Sequence, residues 1–335
     1  MKILGLSCGR RMGNSEVLLR HALDAAAASS GAEIELIRLL DLSIQPCTGC
    51  IACLVDIVQG GAGHCVRHKD DFPFIEDKIY DCDALIVSAP IYIWSQPGYL
   101  KLLCDRVGPS HDISFATCSR EMNQGKTKFD ERIYKERVGA FIAVGGAPKT
   151  DWTSMALPTM YQLTIPMNIQ IVDQMCVLRA GNAGQIYFLP DAFARAVTLG
   201  RNIAEALAQP APARKWLGDE QGSCPVCHCD LMVVGKTTNV ECAVCGIQGT
   251  MSLKGAQVEI AFSEEEQAKS RLKYEGKRKH FQEIQEVTGE FFAVKNQLPE
   301  LMKKYSSSPL KATRPPRNDQ EPDTACCEGI DILAS

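Results

Sequence analysis

The chain has 335 residues, 45% hydrophobic and 23% charged, with a formal net charge of -4 at pH 7. That is ordinary globular composition, enough for one sizeable α/β domain plus something smaller, and the slight acidity gives no electrostatic reason to expect nucleic acid or an anionic membrane as partner. No apolar run approaches the ~18 residues of a membrane span, the N-terminus starts directly on an apolar strand, and sixteen cysteines in a chain read as lacking an export signal point to reduced or metal-bound thiols in a reducing cytoplasm.

Taken in order, Ile3 to Leu6 is an unbroken apolar run, as expected of a strand buried on both faces. It ends abruptly in Ser7-Cys8-Gly9-Arg10-Arg11-Met12-Gly13-Asn14-Ser15. Over residues 16–28, Val17, Leu18, Ala22 and Ala25 recur at helical spacing, with Asn14 or Ser15 as expected N-cap. Residues 33–39 and 83–89 read as the second and third strands, with a cysteine-rich insertion, 41–82, between them. A fourth strand at 138–145, helical residues 152–163, a fifth strand at 169–177 and a helix over 190–208 follow. This alternation predicts an α/β domain over residues 1–208 built on a doubly wound parallel five-stranded sheet. Beyond it the composition predicts a linker at 209–221, a small cysteine module at 222–251, a charged, solvated helical segment over 252–305, and a disordered tail over 306–335 in which Cys326-Cys327 has no assigned role.

A strand feeding a Gly-, Ser- and Arg-containing loop that opens a helix is a phosphate cradle, because free backbone N–H groups and the helix dipole converge on one anion. The loop is neither GxGxxG nor GxxxxGK[ST], which disfavours a dinucleotide site or an NTPase P-loop. After the third strand, Ala89-Pro90-Ile91-Tyr92-Ile93-Trp94-Ser95-Gln96-Pro97 offers flat apolar surface and free backbone N–H groups where a planar ring would sit, and it runs on into Leu100-Lys101 and Asp105-Arg106. Gly145-Gly146 after the fourth strand is a third ligand loop by position.

Two cysteine clusters stand out from the solitary Cys8, Cys82, Cys104, Cys118 and Cys176, which read as small buried hydrophobes. Cys47-x2-Cys50-x2-Cys53, with Cys65 following after eleven intervening residues, has spacing that lets three thiolates face one iron–sulfur cube; zinc and unmetallated thiols are the other readings. Cys224-x2-Cys227 and Cys242-x2-Cys245, fourteen residues apart, suit a tetrahedral zinc ion in a ribbon that folds on its metal, while iron there would make a redox centre.

Ser7, Arg10, Gly13, Asn14 and Ser15, together with the Pro90 to Arg106 stretch, resemble the NADPH-dependent FMN reductases and iron–sulfur flavoproteins, which have flavodoxin-like folds. The match carries one extra residue, Gly9, in the first loop, and a longer spacer before Cys65 than the family's compact cysteine motif. The resemblance implies strand order 2-1-3-4-5, with FMN phosphate at Ser7, Arg10, Gly13, Asn14 and Ser15 and its ring held by Pro90, Ile91, Tyr92, Ile93, Trp94, Ser95, Gly145 and Gly146. It implies an FMN oxidoreductase moving electrons between NAD(P)H or ferredoxin and a small-molecule or protein acceptor, through a [4Fe-4S] cluster at Cys47, Cys50, Cys53 and Cys65, in a homodimer or homotetramer. The alternative is a non-enzymatic flavodoxin-like carrier or docking subunit of a larger redox complex.

Overall fold

A computed structural model provides the structure, which describes residues 1–219, 222–310 and 313. Strands β1 (Lys2–Ser7), β2 (Glu33–Arg38), β3 (Ala84–Pro90), β4 (Arg137–Val144) and β5 (Ile169–Val177) form one parallel sheet in the order β2-β1-β3-β4-β5, as the sequence led us to expect. Helices α1 (Asn14–Ser30), α2 (Ala52–Val58), α3 (Phe72–Asp81), α4 (Gly98–His111), α5 (Ile113–Met122), α6 (Ala156–Thr164) and α7 (Pro190–Leu207) fill the connections.

Because successive side chains of a strand point to opposite faces, the apolar runs split into two cores. Ile3, Ala84, Ile86, Val138, Ala140 and Ile142 pack with residues of α1 and α7. Leu4, Leu6, Leu85, Val87, Phe141 and Ala143 pack on the other face with residues of α3, α4 and α6. All three ligand loops leave the carboxyl ends of β1, β3 and β4, so the sheet sets their spacing.

The cysteine module forms an antiparallel sheet of β6 (Met232–Val234), β7 (Asn239–Cys242), β8 (Gln248–Lys254) and β9 (Gln257–Ala261). Its cysteines belong to the same apolar cluster as Phe141 and Met160, and the Tyr161 hydroxyl donates to the Cys227 carbonyl at 2.7 Å. The chain therefore divides after His280, where a compact unit of Met1–His280 ends, and not at the linker. Helix α8 (Glu264–Ala268) and the start of α9 (Tyr274–Val294) belong to that unit. This start is not the solvated helix expected from its charges, since Lys277 is buried and donates to the Met167 carbonyl at 2.7 Å. The second unit, Phe281–Ser335, contains the rest of α9 and α10 (Leu298–Ser306). The end of the expected tail, with Cys326-Cys327, lies outside the described residues. Of the solitary cysteines, Cys8, Cys82 and Cys118 are buried as expected, Cys104 is half-buried, and Cys176 is exposed. Among the described residues no helix is long and apolar enough to cross a membrane.

Candidate functional site

Helix α1 starts at Asn14 with Gly13 as N-cap and no side-chain cap, which corrects the expectation that Asn14 or Ser15 would fill that role. The Asn14 amide is committed elsewhere, donating to the carbonyls of Ala180 and Asn182 at 2.8 and 2.7 Å. The first-turn N–H groups of α1 are left facing the loop, an arrangement that favours an anion. Beneath them Glu16 is buried, and a carboxylate there would oppose a phosphate. Burial pushes its pKa up, but hydrogen bonds from Arg38 (Nε to Oε2, 2.5 Å) and Arg20 outweigh this and hold it low. Those two guanidinium groups also offset its charge. The Ser7 hydroxyl lies in the same layer, donating to Glu16 at 3.5 Å.

At the other end, the loop after β3 turns back on itself: Tyr92 and Ser95 exchange backbone hydrogen bonds at 3.0 and 3.4 Å. Between them Ile93 and Trp94 take left-handed φ values of 44° and 78°, costly for non-glycine residues and most of all for a β-branched one. The turn leaves Ile93 94% exposed and Trp94 half out, with its indole N–H donating to Ser154 Oγ at 2.8 Å. Tyr99 on α4 donates to the Cys8 carbonyl and so ties the start of α4 to the loop after β1. The third loop meets the chain after β5 glycine to glycine, since a β carbon on Gly146 would come within 2.9 Å of Gly181 Cα.

These loops enclose a cavity of about 300 Å³. Arg10, Gly13, Asn14, Ser15, Pro90, Ile91, Tyr92 and Gly146 line it, as do Gly9, Val144, Ala180 and Gly181, which sequence reasoning did not single out. Ser7, Ile93, Trp94, Ser95 and Gly145 do not line it. Ser7 lies below the loop, the 92–95 turn carries Ile93 and Trp94 outward, and the Gly145 N–H is bonded to the Val177 carbonyl.

The four insertion thiols share a second cavity of about 180 Å³, whose lining also includes Thr48, His68, Asp105 and Arg106. Cys47 is exposed; Cys50, Cys53 and Cys65 are half-buried. Burial raises the Cys53 thiol, with smaller contributions from Cys50 and Cys65. Among the described residues only the C-terminal set gathers at least three potential ligands as a single ion requires. A four-iron cube is wider than a single ion and requires no such convergence.

Cys224, Cys227, Cys242 and Cys245 are buried with all ligand atoms within 4.8 Å of one another. Cys224 and Cys245, and Cys227 and Cys242, have sulfurs 3.4 Å apart, near the roughly 3.8 Å edge of a tetrahedron with ~2.3 Å zinc–sulfur bonds. Cys229 is also buried but lies outside this set.

The profile of the family described as NADPH-dependent FMN reductase matches residues 1–176. Flavone synthase cfoJ of Aspergillus candidus is 34% identical over 291 residues, covering 85% of this chain and 89% of that protein. An iron–sulfur flavoprotein of Methanocaldococcus jannaschii is 36% identical over 110 residues, 32% of this chain and 53% of that one. The solved structure of a flavone reductase matches with a TM-score of 0.77 and 27% identity, over 94% of this chain and all of that one.

Proposed function

Since this chain belongs to the NADPH-dependent FMN reductase family and is a flavin oxidoreductase, we propose that it moves a hydride between NAD(P)H and the conjugated carbon–carbon double bond of a flavone-like enone. The observation that carries this reading is the span of the likeness. The flavone-handling relatives match the insertion and cysteine module as well as the α/β part, whereas the iron–sulfur flavoprotein matches about a third of the chain.

The cavity lining suits FMN: the N-terminus of α1 and Arg10 meet Pro90, Ile91 and Tyr92 around one space, with bare glycine backbone at Gly9, Gly13, Gly146 and Gly181. Arg10 and the α1 N–H groups bind the phosphate, while Pro90, Ile91, Tyr92 and Gly146 hold the ring. Bound FMN supplies the hydride relay between nicotinamide and acceptor. Reducing the double bond also takes one proton, and Tyr92, which lines the cavity, brings a hydroxyl to it. Exposed Ile93 and Trp94 give a flat phenolic acceptor an apolar approach.

The metal assignments belong to the same proposal. Zinc at Cys224, Cys227, Cys242 and Cys245 is supported by their tetrahedral spacing, and its role is to hold the ribbon together. A [4Fe-4S] cluster at Cys47, Cys50, Cys53 and Cys65 is supported by four thiols on one cavity and by the iron–sulfur flavoprotein relatives; it would supply single-electron transfer. A homodimer or homotetramer, which sedimentation would test, and a reducing cytoplasm rest on family likeness and cysteine usage.

The test is anaerobic incubation of purified protein with NADPH or NADH and a flavone, then with a flavanone and an oxidant, with products read by mass spectrometry. Gain or loss of two hydrogens at the ring double bond is expected. No conversion of either flavonoid, with NAD(P)H still oxidised by a quinone, would overturn the substrate assignment. NAD(P)H oxidation only on addition of a protein partner would favour a carrier.

A further inference from the structure

The insertion cavity contains more than thiols. Thr48 Oγ1, His68 Nε2, and Arg106 Nε and Nη2 are buried polar atoms without a hydrogen-bond partner, and all three residues line it. Leaving such atoms unpaired costs about 1–3 kcal/mol each, and more for a charged group, so their gathering on one wall needs a reason. Arg106 is the most telling. It is 3% exposed, its Nη1 is taken by Asp70 and the Gln45 carbonyl, and it lies over the Phe72 ring with Cζ 4.3 Å from the centroid. Asp70 is itself fixed by the N–H groups of Gln45 and Phe72 at 2.8 and 3.2 Å. The guanidinium is therefore locked in place by one edge while Nε and Nη2 remain unused.

We propose that Thr48, His68 and Arg106 form a donor shell for an anionic, thiolate-ligated group in this cavity, and that Arg106 and Thr48 set its reduction potential by hydrogen bonds to its sulfurs. The inference rests on the [4Fe-4S] reading above and adds to it the residues that control the group. One-electron reduction of the cluster transfers no proton and adds one negative charge to the cavity. The electron comes from reduced flavin in turnover, or from dithionite in a titration. Donors directed at the sulfurs stabilise the more negative state, so they shift the couple to higher potential. His68 contributes when Nε2 carries its ring proton. The Asp70 carboxylate, behind the guanidinium, fixes its orientation and offsets part of its charge.

The test is a dithionite titration of the full chain, anaerobically prepared, with iron and acid-labile sulfide assayed on the same samples. Arg106→Lys keeps a cation opposite Asp70 but loses the planar fork; Thr48→Val removes a hydroxyl at nearly constant volume. Both variants are expected to keep about four irons per chain and to shift the cluster midpoint to more negative values, with the FMN midpoint unmoved. For Arg106→Lys the expected loss is about tenfold in the reduction equilibrium, about 59 mV for a one-electron couple. Loaded variants with wild-type cluster midpoints would overturn the donor shell and leave the cluster standing. Wild-type protein that binds FMN but contains no sulfide would overturn the cluster reading and the shell together.

Discussion

Asn14 and Ala180 lie 166 residues apart in the chain, yet the Asn14 side-chain amide donates to the Ala180 carbonyl at 2.8 Å and to that of Asn182 at 2.7 Å, while Asn14 Oδ1 accepts the Ile186 N–H at 3.4 Å. The first residue of α1 thus fixes the far wall of the 300 Å³ cavity. Asn14→Ala takes the amide donor from the Ala180 carbonyl, while the Asn182 carbonyl still accepts the Gln185 N–H at 3.1 Å, and it is expected to weaken FMN binding about tenfold, on the basis of the 1–3 kcal/mol that such losses typically cost. Titration followed by flavin fluorescence would check this; unchanged affinity would show that the β5–α7 loop holds itself.

Gly146 and Gly181 make the second tie between these loops. Valine at Gly181 would place a β carbon 3.0 Å from Gly146 Cα, which the neighbouring backbone must relieve by moving. Overpacking of this kind costs about 1–3 kcal/mol. We expect Gly181→Val to fold with a normal far-ultraviolet circular dichroism spectrum and to lose at least tenfold in FMN affinity, while alanine at Gly98, where a β carbon would meet nothing, leaves affinity unchanged.

Removing one ligand from the C-terminal set exposes the link between ribbon and sheet. Cys242→Ser is expected to abolish zinc binding at the proposed site and, because the four cysteines share a core with Phe141 and Met160, to lower Tm by roughly 5–10 °C. Calorimetry and metal analysis would measure both effects. Loss of the ion at constant Tm would show that the module is only loosely attached.

Acid should destabilise the protein through His111. Burial lowers its pKa to about 4, and it stacks on Tyr80 with ring centroids 4.3 Å apart; Glu76 opposes the shift, while Arg137 and His64 reinforce it. The folded state keeps this ring neutral while the unfolded chain takes up a proton, so stability is lost as pH falls from about 6.5 to about 4, by up to ~3 kcal/mol. His64 works the other way: a hydrogen bond to Glu76 raises its pKa, so its contribution is full below about 6.5 and fades as pH rises through the folded value. Urea midpoints for His111→Gln should therefore fall less steeply between pH 6.5 and 4.5 than those of wild type. Parallel curves would place the acid sensitivity elsewhere.

The strands were legible because each is written locally. Residues 169–177 read as a strand in the sequence and β5 spans Ile169–Val177, and the CxxC pairs declared their convergence through spacing. Contacts between distant residues were not. Nothing near Asn14 announces that its amide serves residues 180 and 182, so it read as a helix cap. Ser7 read as a phosphate ligand from the family motif it shares, whereas its hydroxyl donates to Glu16 at 3.5 Å. Lys277 sits in a charge-rich run that looks solvated, and only tertiary packing reveals that this lysine is buried against the carbonyls of Pro166 and Met167. Gly181 could have been found, since a glycine just past the fifth strand, followed by Asn182 and Gly184, marks a loop at the ligand-bearing edge.

The hydroxyl of Tyr161, bonded to the Cys227 carbonyl, makes the ribbon part of the wall behind the sheet. A cell short of the ion would then lose more than an accessory knuckle: nascent chains would leave that wall bare and become substrates for chaperones and proteases. How much flavin enzyme a cell keeps would then follow its trace-metal nutrition.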